Sequence, residues 1–229
     1  MRILALETSV REASIALCDH DVLRTEAALP SGLGTAQTLA PTIADQLDLL
    51  GWSPKDINLI AVSTGPGSFT GLRVGITTAK TMAYALGADV LGLNTLEVIA
   101  AQVPPTASKI WAVMDAQRQQ LFAACFLQTR GKLETVHKTE VIDNRQWVEQ
   151  LESRVAVSGP ALGRLHEILP DTVTAVDSEW WTPRAATVGK LAFQYDQQGH
   201  RDDLWKLTPN YFRKSAAEEK LDGQDATPS

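Results

Sequence analysis

KIWAVMDAQRQQLFAACFLQ, residues 109–128, decides the fold. Two apolar runs, 109–115 and 120–128, flank a short polar turn, and the pattern reads strand, turn, strand. KLETVHKTEVI (132–142) continues as a third strand. The amino terminus opens the same way, with RILALETS (2–9), ASIALCD (13–19) and VLRTEAAL (22–29). Pro104 and Pro105 stand just ahead of the second opening and mark a boundary.

Both halves then proceed alike. In the first, a helix over 36–51 carries Leu39, Ile43, Leu47 and Leu50 on one face and stops at Gly51. Pro41 fits a first turn if Thr38 is the N-cap. Strand 57–64, a helix to Gly87, strand 89–93 and helix 95–102 follow, the last with Asn94 and Glu97 at capping-box spacing. In the second half the pattern predicts helix 145–153, strand 154–158, helix 161–169, strand 172–177 and a long helix over 183–198. Each half is βββαβαβα, and a duplicated topology says more than any one segment. The expected division is 1–103 for an amino-terminal lobe, 104–213 for a carboxyl-terminal lobe and 214–229 for a disordered tail, the last read from its polar, aperiodic composition.

Composition narrows the function classes. The chain has 229 residues, 44% hydrophobic and 21% charged, with net charge -6 and pI near 5.2. Phosphate neutralisation needs a basic patch, and none is evident, so any work on nucleic acid calls for a partner to supply the grip. No apolar run spans a membrane and Glu7 interrupts the first apolar stretch, which predicts a soluble cytoplasmic protein. Cys18 and Cys125 read as buried free thiols. His20, His137, His166 and His200 show no ligand spacing, so no metal site is expected. The six tryptophans read as packing residues.

GPGSFTG, 65–71, follows a strand and opens a helix. It lacks the Lys-Ser/Thr of a P-loop, and its glycines are spaced GxGxxxG. Such a loop can aim N–H groups, with Ser68 and Thr70, at an anion. Gly65 and Gly67 can equally serve a tight turn, which spacing alone favours. Beyond the loop, Gly71, Gly75, Ala79 and Ala83 recur every four residues, while Leu72, Ile76 and Leu86 offer a separate sheet-facing set. This stripe is expected to meet another helix, in this chain or a second one. Acidic residues also end the first strand of each half: Glu7, followed by Thr8 and Ser9, and Asp115.

Two tandem βββαβαβα lobes resemble the actin-like ATPase (ASKHA) superfamily, an α/β fold whose ligands lie between the lobes. There, strand-end carboxylates hold magnesium through water and small hydroxyls bind phosphate. Glu7, Thr8, Ser9, Gly65, Gly67, Ser68, Thr70 and Asp115 form the candidate nucleotide or phosphate cleft.

ILALETS, GPGSFTGLRVGITTAK, MDAQRQQLF and PNYFRK together resemble the TsaB (YeaZ) family, from residue 1 to about 214. The resemblance implies a non-catalytic subunit of the machinery that builds threonylcarbamoyladenosine in tRNA, beside the anticodon. It implies as partners the catalytic paralogue TsaD, the ATPase TsaE and the threonylcarbamoyl-AMP synthase, with tRNA met through the complex and a homodimer when TsaD is absent. No cofactor is required, and weak ATP or ADP binding belongs more to the complex than to the subunit alone. TsaD carries two metal histidines in an Asn-His-Leu-Glu-x-His segment. The matching stretch here is NTLEVI, with Thr95 and Ile99 at those places, which argues against independent transferase or metallopeptidase activity. Leu39, Ile43, Leu47, Gly71, Gly75, Ala79 and Ala83 become the expected TsaD interface, on helices 36–50 and 70–87. Thr35 stands near a position where many relatives have histidine. The alternative is an autonomous phosphotransferase using Glu7, Ser68 and Asp115, for which VSGPALGRL (Gly159, Gly163) offers only a faint nucleotide turn.

Overall fold

The computed structural model describes residues 1–213; the stretch read as a tail lies outside them, as does the side chain of His166. The described chain forms two five-stranded sheets. The first holds β1 (Arg2–Glu7), β2 (Ser14–Asp19), β3 (Val22–Ala28), β4 (Ile57–Gly65) and β5 (Asp89–Asn94). The second holds β6 (Lys109–Asp115), β7 (Gln120–Thr129), β8 (Lys132–Asp143), β9 (Ala156–Ser158) and β10 (Thr174–Ala175). Their orders are β3-β2-β1-β4-β5 and β10-β9-β6-β7-β8, the same arrangement repeated. In each, the first three strands form an antiparallel meander, and the fourth joins the first in parallel. This is the actin-like α/β architecture.

Alternation along the strands explains the layers. Leu4 and Leu6 of β1, Ile15 and Leu17 of β2 and Ile60 and Val62 of β4 face one side. Helices α1 (Thr35–Leu50) and α2 (Phe69–Leu86) cover it, with Leu39, Ile43, Leu47, Ile76, Ala79 and Ala83 in the same core. Ile3, Ala5, Ala16, Cys18, Leu59 and Ala61 face the other side. Strands buried on both faces need apolar residues throughout, which is why these read as unbroken apolar runs.

The helix over that second face is α6 (Ala185–Gln197), which follows the second sheet in sequence; Ala185, Val188, Leu191 and Ala192 pack there. Conversely, α3 (Thr95–Gln102) of the first half places Leu96, Ile99 and Ala100 against Ile110, Ala112 and Met114 of β6. The last helix of each half thus covers the other half's sheet. Glu26 of β3 secures α6 by pairing with Arg184 and accepting from the Ala186 N–H at 2.9 Å. The other face of the second sheet is closed by α4 (Asn144–Glu149) and α5 (Leu162–Leu165), with Trp111, Trp147 and Leu162 at its centre.

After α6 the chain returns along the first lobe as an aperiodic strap, residues 200–213. The Asp202 N–H donates to Val90 O, and Asp202 Oδ2 accepts from the Gly92 N–H at 2.7 Å, so the strap is stitched to the edge of β5. Leu207 joins the α1/α2 core, and the Asn210 N–H donates to Thr64 O at 2.8 Å.

Three local expectations need correction. α1 begins at Thr35 with Gly34 as N-cap, so Pro41 lies within the helix and not in its first turn. Thr38 caps nothing; it is buried, and its hydroxyl donates to Gly34 O. α4 ends at Glu149, four residues short of the reading. Trp205 is 72% exposed, unlike the buried Trp111 and Trp147. Cys18 and Cys125 are buried free thiols, each pushed up to about 11 by burial.

Candidate functional site

A cleft of about 660 Å³ lies where the glycine loop ahead of α2, the β6–β7 turn and the end of the strap converge. Gly67, Ser68 and Phe69 come from the loop, and Asp115, Ala116, Gln117 and Arg118 from the turn. The strap adds Asn210 to Arg213. Tyr211 stacks on Phe69 with ring centroids 4.5 Å apart, and its hydroxyl accepts from Arg73 Nε at 2.8 Å. The Arg73 guanidinium lies 4.0 Å over the Phe69 ring. Phe212 approaches Phe122 of β7 at 6.4 Å, and Arg213 donates to the Ala116 carbonyl. The strap therefore links both lobes across the cleft.

The β6–β7 turn is unusual in its backbone. Gln117, Arg118 and Gln119 have φ of 63°, 53° and 62°, three successive side-chain-bearing residues in the left-handed region. Each costs roughly 1–2 kcal/mol against the right-handed form. Asp115 anchors the turn: Oδ1 accepts from the Gln117 N–H at 2.9 Å and Oδ2 from Arg164 Nη1 at 2.7 Å. Asp115 is thus held by donors on both oxygens.

Of the expected cleft residues, Gly67, Ser68 and Asp115 line the space. Gly65 is buried, its α-carbon turned to the Asn210 carbonyl, and Thr70 is exposed on the first turn of α2. Glu7, Thr8 and Ser9 are fully buried behind the loop. Glu7 Oε1 accepts from Ser9 N at 2.7 Å and from Ser9 Oγ, while Oε2 accepts from Ser63 Oγ. Burial raises its proton affinity, and the Ser63 and Ser9 hydrogen bonds oppose that only in part. Among the described residues Thr8 Oγ1 has no partner. Glu7, Thr8 and Ser9 are thus screened from the cleft by the loop and the start of α2.

The helix that seals them is α2. A methyl group at Gly67 would meet Ser9, and one at Gly71 or Gly75 would meet Thr8. The Ser68 N–H donates to Ser9 O at 2.6 Å, and the Gly71 N–H donates to Ser68 Oγ. The space between the β1–β2 turn and α2 is therefore filled by the chain itself. These residues do not fit a nucleotide phosphate. Gly159, of the faint nucleotide turn, is likewise packed on the Val113 backbone. Among the described residues no group of three or more His, Cys, Asp or Glu could hold a metal ion.

The residues expected at a partner interface pack inside this chain. Leu39, Ile43, Leu47, Gly71, Gly75, Ala79 and Ala83 are all buried within this chain. The outward faces of the same helices carry other residues: Ala36, Ala40 and Ala44 on α1, and Thr77, Thr81 and Ala85 on α2. Thr95 and Ile99 are both fully buried in α3. Reading the sequence did not find Arg164, the left-handed turn or the strap's place in the cleft. PNYFRK was visible as a motif, but nothing in its spacing says where it lies.

The family model described as TsaD: tRNA N6-adenosine threonylcarbamoyltransferase matches residues 34–177, more than half of the chain. The tRNA threonylcarbamoyladenosine biosynthesis protein TsaB of Bacillus subtilis is 29% identical to this chain, covering 96% of it and 97% of that protein. The TsaB of Escherichia coli is 27% identical, covering 98% of this chain and 100% of its own length. The solved structure of YeaZ from Pseudomonas aeruginosa superposes with TM-score 0.79 at 25% identity, covering 92% of this chain and 99% of that one.

Proposed function

From the premise that this chain belongs to the tRNA N6-adenosine threonylcarbamoyltransferase family, on its TsaB (YeaZ) side, we propose that it is a non-catalytic subunit for threonylcarbamoyladenosine formation in tRNA. Its role is to bind and activate a catalytic TsaD subunit, in a machinery that also uses TsaE and a threonylcarbamoyl-AMP synthase. The tRNA is gripped mainly by the complex, in keeping with this chain's net charge of -6. We place that complex in the cytoplasm; among the described residues no helix is long and apolar enough to cross a membrane.

The observation that carries the non-catalytic reading is the seating of α2 on the β1–β2 turn, which leaves no room for phosphates beside Glu7. Thr95 and Ile99, sealed in α3, also lack the imidazoles of a metal site. An autonomous phosphotransferase loses its support on the same grounds. For the partner we assign the outer faces of α1 and α2. Small, uncharged side chains at four-residue spacing let a second pair of helices approach closely. A homodimer through the same faces would compete with TsaD.

The test is reconstitution on unmodified tRNA with TsaD, TsaE and the synthase. Modification is expected only when this chain is present, and the chain alone should turn over no ATP. Ala40→Arg should keep the parent's thermal midpoint yet lose capture of TsaD. Full modification without this chain, or undiminished capture by the Arg variant, would overturn the reading.

A further inference from the structure

A second cavity, of about 310 Å³, lies where the end of β5 and the start of α3 meet β8. Glu97 and Lys138 bring opposite charges to its wall, and Phe126 and Phe212 bring apolar surface. Its polar rim is fixed. Asn94 Nδ2 donates to Thr139 Oγ1 at 2.9 Å, while Asn94 Oδ1 accepts from the Leu96 N–H at 2.8 Å.

Glu97 is the unusual member. Oε1 accepts a hydrogen bond from the Tyr195 hydroxyl, and His200 stacks on the Tyr195 ring at 5.3 Å, so the carboxylate is held in place. Among the described residues no donor or cation reaches Oε2. A half-buried carboxylate gains from a cation brought beside it, because its desolvation is only partly compensated by one hydroxyl. Burial raises the proton affinity of Glu97 against the lowering effect of the Tyr195 hydrogen bond, as expected of a carboxylate without a counter-charge. Lys138 lines the same cavity but forms no ion pair with Glu97. An anion and a cation left apart across one small space are complementary to a zwitterion. The volume is at the low end of the roughly 300–1,000 Å³ range of ligand pockets, too tight for a nucleotide with its triphosphate.

We propose that this cavity binds a free α-amino acid, its ammonium on Glu97, its carboxylate toward Lys138 and its side chain between Phe126 and Phe212. The site lies apart from α1 and α2, and it stands or falls independently of the accessory role.

The full chain, labelled with nitrogen-15, would be titrated with L-leucine and L-threonine, and with the N-acetyl and methyl ester form of each. Saturable shifts of the Asn94 and Thr139 amides are expected below about 10 mM for the free amino acids. Acetylation and esterification should each weaken binding about tenfold or more, since each removes one charge-assisted contact. Glu97→Gln, which can still accept from Tyr195, should erase the penalty for acetylation; Lys138→Ala should erase that for esterification. The proposal fails if no saturable shift appears, if the acetylated compounds bind as well as the free ones, or if both variants bind as the parent does. The ligand arms need no variant, so a misfolded mutant leaves the test intact.

Discussion

Replacing Gly75 by alanine tests whether the glycine face of α2 looks inward. The added methyl would sit 3.2 Å from Thr8 Cβ and 3.3 Å from Thr8 Cγ2, with Thr8 Oγ1 closer still. Alanine gains about 1 kcal/mol over glycine in a helix interior, whereas overpacking a tight core costs about 1–3 kcal/mol. Gly75→Ala should therefore destabilise by about 0–2 kcal/mol. The opposing atoms belong to one side chain, whose buried hydroxyl has no partner among the described residues. Trimming it with Thr8→Ala removes Oγ1 and Cγ2 and leaves only the Cβ contact to relax. In that background Gly75→Ala should be neutral or stabilising, a coupling of about 1–3 kcal/mol, within the range for residues in contact. Gly71→Ala is the control. Its methyl would strike the Thr8 backbone carbonyl, which no side-chain truncation removes. It should stay destabilising in both backgrounds. Denaturant unfolding of the four Gly75/Thr8 combinations gives the cycle, and thermal midpoints should move by about 2–4 °C per kcal/mol. If Gly75→Ala leaves stability unchanged, shows no coupling to Thr8 and instead abolishes TsaD capture, the face looks outward and the reasoning is wrong.

Glu7→Gln probes the sealed carboxylate. The folded state holds the Glu7 proton more tightly than the unfolded chain does, so between those two values the parent loses stability as pH rises, by up to about 1.4 kcal/mol per pH unit. The variant should lack that slope, and urea midpoints across a pH series would show it; a pH-independent difference, or one of opposite sign, refutes the assignment. Leu207→Ala should cost about 2–4 kcal/mol, because Leu207 is buried in the core under α1 and α2. An unchanged thermal midpoint would mean the strap is not part of that core.

Strand positions and the repeated order of elements were legible because the strands carry apolar runs, such as residues 3–6, 15–18 and 59–62, and the turns are punctuated. What covers each sheet was not. The apolar face of α6, with Val188 and Leu191, announces burial but not against which sheet. The same ambiguity holds for the stripe on α2, since glycine and alanine at four-residue spacing read alike whether a strand end or a foreign helix lies opposite. Thr8 decided it, and Thr8 is 63 or more residues away in sequence from Gly71 and Gly75. In the cleft, Ser68 and Asp115 were legible from loop chemistry. The left-handed run at Gln117–Gln119 was not, because it contains no glycine to signal it. The strap carries no periodicity; it is placed by hydrogen bonds to Gly92 and Thr64, which leave no trace in composition.

The exchange of last helices also orders events on the ribosome. When β5 has emerged, every strand of the first sheet exists, yet one face still shows Ile3, Ala5, Ala16, Cys18 and Leu59 to solvent. Their cover, α6, lies about ninety residues further along. At about 5–20 residues per second the nascent chain carries that naked face for roughly 5–20 s. An amino-terminal fragment ending before α6 would keep it bare indefinitely. The first half is thus unfit to live alone, and the chain is translated as an unfinished object until α6 arrives.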